Sequence, residues 1–230
     1  MSYDAFATTF SNSRKNLHWP ELEYIIEDIK NNGYKGILDV GCGNGRFLEE
    51  SGKLGYIPDT YLGVDNSEGM ILEARKSHLE SYFEVIWMQD IKQIETTYDA
   101  IVFLASFHHL ESAEERIQVL KDIKKLLSPN GRIYMTNWNL REQTRYEKSH
   151  RGNGDFDIKI GEFSRYYYWF TLIELEELFK LTEYGIIENR VFEGGRNILI
   201  PDNALNGIII QWGEAGHGRR SDQVPSWAPL

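Results

Sequence analysis

The chain is 230 residues long, enough for one α/β domain with a sizeable core, and its 41% hydrophobic and 13% aromatic content marks it as globular rather than disordered. A formal net charge of −10 argues against broad nucleic-acid binding, although residues 141–165 hold six Lys/Arg against five Asp/Glu and are locally near neutrality. The single cysteine, Cys42, excludes an internal disulfide, a Cys-ligated iron–sulfur cluster and a Cys-rich zinc site, and points to a reducing, cytoplasmic setting.

Residues 1–19 read as a polar lead dotted with aromatics, lacking the basic start and long apolar stretch of a signal peptide. From Pro20, suited to a first helical turn, Leu22, Ile25, Ile26 and Ile29 recur at helical spacing up to Gly33. Residues 35–40 read as a buried strand that stops at Gly41-Cys42-Gly43-Asn44-Gly45, with a helix running on to about Gly55. Glycines spaced two apart let another molecule approach the backbone closely. A dinucleotide site would want its third glycine where Arg46 stands, and that side chain would crowd a pyrophosphate.

Residues 61–65 form the second expected strand. Its last residue, Asp65, lies 24 residues after Gly41, close to the offset of about 20 at which such folds offer a carboxylate to ribose hydroxyls. Asn66-Ser67 opens the next helix. Residues 83–88 read as a third strand, ending at Gln89-Asp90-Ile91, and residues 98–104 as a fourth, apolar throughout as a strand buried on both faces should be. That strand leads into Ala105-Ser106-Phe107-His108-His109. An amphipathic helix over 111–127 is stopped by Ser128-Pro129-Asn130-Gly131, and residues 132–136 make the fifth strand.

The alternation gives an α/β fold, a doubly wound, mostly parallel sheet with helices on both faces, completed to seven strands by residues 185–192 and 197–200. The longest apolar run, residues 100–107, is far below the roughly 18–20 residues that span a bilayer, so no membrane partner is expected. Past Trp138 the rhythm breaks. Residues 139–164, polar and holding Gly152, Gly154 and Gly161, read as an insertion or lid before a helix capped by Thr171 and Glu174. The expected layout is one domain over 1–201, with an N-terminal lid and helix at 1–33, a substrate-side insertion at 139–170 and a flexible tail at 202–230.

The run Asp39-x-Gly41-x-Gly43-x-Gly45 resembles the first motif of the class I S-adenosylmethionine (SAM)-dependent methyltransferases, and the next three strand ends follow in that family's order. The resemblance implies a Rossmann-like fold with SAM as cofactor. It places Asp39, Gly41, Cys42, Gly43 and Gly45 along the methionine part and Asp65 with Asn66 at the ribose. Gln89, Asp90 and Ile91 would face the adenine, and Ala105 and Phe107 would lie under the sulfonium. Any one of these acids could instead cap a helix; four strand ends in register favour the cofactor. No metal site is expected.

The acceptor is narrowed by what is missing. No Asn/Asp-Pro-Pro-Tyr/Phe follows the fourth strand, against methylation of an exocyclic base nitrogen, and no cysteine nucleophile stands there for attack at carbon 6 of a pyrimidine. A carboxylate is already nucleophilic and needs alignment rather than a strong base. The lead Phe10-Ser11-Asn12-Ser13-Arg14 with Trp19-Pro20, the pair His108-His109 and the run Arg165-Tyr166-Tyr167-Tyr168-Trp169-Phe170 resemble the methyltransferases that esterify 5-carboxymethyluridine at the tRNA wobble position. Tyr168 departs from that family, which has His there.

On that resemblance Arg14 and Arg165 hold the acceptor carboxylate through guanidinium forks. Tyr166 and Tyr167 would stack on a base or line the transfer pocket. His108 is the candidate base of the histidine pair, only one of which can point into the site while the other packs or caps. The resemblance also implies tRNA as acceptor and a small zinc-binding activator protein as partner. A small-molecule acceptor, favoured by the net charge, stays open, as does a non-catalytic SAM-binding scaffold.

Overall fold

The computed structural model describes residues 19–140, 143–160, 163–192 and 196–202. The lead with Arg14 and the tail from residue 203 lie outside the described residues.

Five strands pair in parallel in the order β3-β2-β1-β4-β5: β1 (Gly36–Val40), β2 (Thr60–Asp65), β3 (Tyr82–Val85), β4 (Tyr98–Leu104) and β5 (Leu127–Trp138). Two further strands, β9 (Gly185–Phe192) and β10 (Arg196–Asp202), continue the sheet through antiparallel pairing, β10 against β5 and β9 against β10, to seven strands in all. Successive side chains of the central strands serve opposite cores, because a strand turns alternate residues to opposite faces. Leu38, Ile101 and Phe103 join one cluster and Ile37, Ala100 and Val102 the other. Helix α1 (Pro20–Asn31) packs Leu22, Ile25, Ile26 and Ile29 into the second cluster; its Pro20 sits at the first turn, where a missing N–H costs nothing. The connecting helices are α2 (Arg46–Lys53), α3 (Glu68–Ser77), α4 (Ala113–Lys124) and α5 (Leu172–Leu181). Capping boxes start the last two, Ser112 with Glu115 and Thr171 with Glu174.

Two boundaries differ from the sequence reading. β3 ends at Val85, and residues 88–93 wind into a 3-10 helix instead of extending the strand. β5 begins at Leu127, ahead of the expected break at residues 128–131. Tyr98 pairs with Leu127 and Ala100 with Arg132, so the intervening residues bulge out and Pro129 interrupts no regular ladder.

The polar stretch past Trp138 is built as a second sheet. A 3-10 helix at Thr144–Ser149 leads into β6 (His150–Gly152), β7 (Asp155–Ile160) and β8 (Phe163–Tyr168), a three-stranded antiparallel meander. It holds a small core of its own from Leu140, Phe156, Ile158 and Tyr167. One joint with the main domain is Arg116 of α4, only 5% exposed. The guanidinium donates to the Leu110 carbonyl from Nε and Nη2 (3.1 and 2.8 Å) and to the Tyr166 hydroxyl (3.0 Å). It also lies 3.7 Å from the Tyr168 ring centroid, a cation–π contact in a dry setting. The Tyr166 hydroxyl donates onward to Asp155 of β7 (2.6 Å).

Arg116→Ala strands the Leu110 carbonyl and takes one of its partners from the Tyr166 hydroxyl, and urea unfolding should show a loss of about 3 kcal/mol. A loss below about 1 kcal/mol, the range of an ordinary surface substitution, would show that the two sheets are held together elsewhere.

Candidate active site

A cavity of about 770 Å³ opens at the carboxyl ends of β1, β2 and β4 and extends to β8. In doubly wound sheets a crevice forms where the strand order reverses, here between β1 and β4. The turn after β1 is drawn tight. Gly41, at φ +75°, and Cys42 both donate their N–H to the Val64 carbonyl (2.7 and 3.0 Å). A Cβ on Gly41 would fall 2.4 Å from the Ser106 Cβ, so any larger residue would push β1 and β4 apart. The Ser106 hydroxyl, in turn, donates to the Val40 carbonyl at 2.6 Å. At Gly43, φ +55°, a Cβ would meet only the Met70 methyl at 3.3 Å, which leaves a bare stretch of backbone in the cavity wall.

Two acids stand over this turn. Asp65 accepts the Gly43 N–H at 3.0 Å and the Ser67 N–H at 2.9 Å, so it shapes the glycine turn and the start of α3 together. Asp39, 1% exposed, accepts the Tyr61 hydroxyl on Oδ2 at 2.9 Å, while its Oδ1 has no hydrogen-bond partner among the described residues. Burial, with Asp65 nearby, raises its pKa from 3.8 to about 7 despite the Tyr61 bond.

One end of the cavity is walled by Ile86, Trp87, Met88 and Leu110, with Gln89 donating to Glu115 at 2.9 Å. The other end gathers His109, Trp138, Arg165, Tyr166 and Tyr167. The His109 Nδ1 lies 2.9 Å from the Tyr166 carbonyl oxygen and 3.2 Å from the Arg165 Nε. Burial, then the Arg165 charge, then His108 hold His109 well below the usual imidazole range, so its ring is neutral at physiological pH. Ala105, between the two ends, takes φ +52°, uncommon for a side chain with a Cβ, and its N–H is held by Thr136.

Residues 38–133 match the family model described as "Methyltransferase domain". The chain is 29% identical over 151 residues to a tRNA (carboxymethyluridine(34)-5-O)-methyltransferase of Saccharomyces cerevisiae, covering 65% of this chain and 51% of the relative. With the Mus musculus protein of that activity, ALKBH8, identity is 26% over 148 residues, covering 64% of this chain and 21% of the relative. The chain thus spans about a fifth to a half of the length of these curated relatives. A SAM-dependent methyltransferase structure from Clostridium acetobutylicum superposes with a TM-score of 0.66 at 16% identity, covering 87% of this chain and 98% of that one. Residues 38–133 thus match a methyltransferase domain, and the fold around them is that of class I, SAM-dependent methyltransferases.

The residues of this methyltransferase domain fit its cofactor. The unpartnered Asp39 oxygen suits the ammonium of the methionine part, and the bare Gly43 backbone leaves room beside it. Asp65 stands at the wall for the ribose, and Ile86, Trp87, Met88 and Leu110 offer apolar surface for the adenine. Of the residues picked out from sequence, Asp39, Gly41, Cys42, Gly43, Asp65, Asn66, Gln89, Ala105, Arg165, Tyr166 and Tyr167 line the cavity.

Five others are placed elsewhere, each for a local reason. Gly45 starts α2 in the left-handed region, and a Cβ there would fall 2.7 Å from the His78 ring, so its bareness serves helix–helix packing. The 3-10 helix after β3 turns Asp90 to solvent and Ile91 into the core. Phe107 packs between Phe103 and Phe170. His108 is 1% exposed and stacked on Tyr167, and burial with the Arg165 charge lowers its pKa to about 3. His109, not His108, is the histidine at the wall. Sequence reasoning also missed Trp19, Trp87, Met88 and Arg46, whose guanidinium lies 5.1 Å from the Trp19 ring centroid. The apolar run Ile86-Trp87-Met88 after β3 was the available signal for two of them.

Asp39 makes both stability and cofactor affinity depend on pH. Its folded pKa is raised above its unfolded value, so the stability it contributes is fully present below about pH 4 and is lost as pH rises through about 7. In the ligand-free protein Asp39→Asn should remove that decline in thermal unfolding between about pH 4 and 7. A cationic group at Oδ1 favours the ionised acid, so SAM affinity measured by calorimetry should rise up to about tenfold from pH 6 to 8 and level off above. An affinity flat across that window would remove Asp39 from the cofactor's ammonium.

Proposed function

We propose that the protein transfers the methyl group of SAM to the carboxylate of a modified wobble uridine in tRNA, 5-carboxymethyluridine, forming its methyl ester. The reading is carried by one observation: a guanidinium, Arg165, stands beside a neutral and weakly basic imidazole, His109, at the acceptor end of the cavity. Arg165 supplies two parallel N–H donors for a carboxylate and can orient it bidentately. An imidazole held so far down in pKa is a poor acceptor of protons, which suits an acceptor that arrives ionised and unsuits an alcohol or ammonium that must be deprotonated. When bound, SAM supplies the methyl as a sulfonium electrophile, and an ionised oxygen takes it with no proton to remove.

Tyr167, 3% exposed, stacks on Trp138 at 5.2 Å and braces that half-buried ring, which lines the cavity where an unstacked base can lie. Tyr166 meets the cavity with its ring while its hydroxyl is taken up by Arg116 and Asp155. The names of the yeast and mouse relatives support the same acceptor. Arg14 would add a second cation from the lead, and a small zinc-binding activator protein would supply RNA affinity that a chain of net charge −10 lacks. That same charge favours the second reading, methylation of a small carboxylic acid in the same pocket.

Labelled SAM offered to bulk tRNA and to a small-molecule extract separates the two. Label in tRNA that mild alkali releases as methanol is expected; label confined to small molecules would move the acceptor to a metabolite. Arg165→Ala should lower transfer at least tenfold, from the ~1.5–3 kcal/mol of a charge-assisted hydrogen bond, while SAM affinity stays within about twofold. At saturating SAM the rate should be flat from about pH 6 to 9, since a carboxylate is ionised throughout and His109 takes no proton. A bell-shaped profile would show general-base catalysis and sink the carboxylate assignment.

A further inference from the structure

A second cavity, about 580 Å³, lies on the three-stranded sheet and contains none of the residues argued above for cofactor or acceptor. Its walls are aromatic: Phe156 of β7 and Tyr168 at the end of β8 are buried at its base, and Trp169 just beyond is half-buried and the most open ring. Glu147, His150 and Asn153 stand at its edge, all exposed, and their side chains make no hydrogen bond or ion pair among the described residues. The His150 ring already lies against Phe156, with centroids 4.8 Å apart. The hairpin between β6 and β7 holds three consecutive residues in the left-handed region, Gly152, Asn153 and Gly154, at φ +107°, +50° and +87°. Asn153-Gly154 is the two-residue turn of this hairpin, for which positive φ at both positions is the favoured geometry and Asn-Gly the favoured sequence. Gly154 has its own reason: a Cβ there would come within 3.0 Å of the Trp169 carbonyl and the Tyr168 ring.

The two cavities are neighbours along one segment. Tyr167 walls the first and Trp169 the second; both pack on the Leu140, Phe156 and Ile158 cluster, and about 7 Å of extended chain separates them. Resting on the tRNA reading, we infer that the second cavity binds the base of a nucleotide next to the one being methylated. Single-stranded loops are read by splaying bases apart and laying each on an aromatic face, and each such contact tolerates any base. The carboxylate of Glu147 at the edge repels phosphate but can accept from the exocyclic amino group of a base. Lys148, exposed next to Glu147 on the same 3-10 helix, is the cation nearest in sequence for the connecting phosphate.

The test measures binding of the full chain, with S-adenosylhomocysteine present, to synthetic RNA stem-loops carrying one 5-carboxymethyluridine in the loop. In companion RNAs the base on its 5′ or its 3′ side is replaced by an abasic ribose. Wild type should bind about tenfold more weakly when one of these two bases is removed, the range of a lost base–aromatic stack. The double variant Glu147→Ala, His150→Ala, altered only at exposed positions, removes the edge contacts and leaves Trp169, so it should keep only part of the wild type's sensitivity to the abasic change. If wild type ignores both abasic changes, or the variant loses as much as wild type, the second cavity is not a base site. A wild type that fails to prefer the 5-carboxymethyluridine loop over an unmodified one would overturn the acceptor reading itself, and the neighbouring base site with it.

Discussion

The hydrogen bond from the Ser106 hydroxyl to the Val40 carbonyl is the point on which the rest of the structure turns. It ties the ends of the two strands between which the sheet order reverses, and Gly41 allows it by keeping the space beside Ser106 free of a side chain. With that spacing set, the glycine turn hangs from the Val64 carbonyl and presents Gly43 to the cavity. Asp65 then holds the turn from the neighbouring strand end. The crevice is therefore a consequence of backbone closeness at one place, and the acids around it inherit their positions from strands already fixed by two buried faces.

The acceptor side rests on a different device. A three-stranded sheet with a core of four buried side chains is small, and Arg116 supplies what that core does not. Its guanidinium faces main-chain carbonyls, a phenol and two aromatic rings, so a buried charge is satisfied through donors and π faces. One end of that contact is the loop after β4, part of the cavity wall; the other is β8, which carries Arg165 and Tyr167. Arg116 thus joins the two ends of the cavity, beside the contacts of His109 with Tyr166 and Arg165.

The strands of the main sheet were legible because burial on both faces leaves an unbroken apolar run, and the glycine turn because its spacing has few other uses. Asp39, Gly43 and Asp65 stand at strand ends, where the resemblance to the class I family placed them and, for Asp65, the spacing from Gly41 agreed. The misplacements cluster where a chain leaves a strand. Asp90 and Ile91 sit in one 3-10 helix and Phe107 and His108 in another, and such turns decide which of several adjacent side chains faces inward. Nothing in residue order states that rotation. The second sheet was readable in part: residues 155–160 alternate charged and apolar, with Phe156 and Ile158 buried, a strand pattern that the surrounding glycines and polar residues obscured. Arg116 was hidden for another reason, since a charged residue on an amphipathic helix reads as solvent-facing until its partners from residues 166–170 are folded against it.

Cys42 has a use of its own. Its thiol is buried in the glycine turn, and burial, with Asp39 and Asp65 nearby, keeps it protonated far into the alkaline range. A thiol in that state is slow to react with alkylating or oxidising agents while the turn is closed. Because the chain has no other cysteine, any reaction with such an agent reports from one place, the floor of the cofactor cavity. The sequence thus contains a single-site chemical reporter: its labelling rate registers opening of the glycine turn separately from the occupancy of the acceptor end.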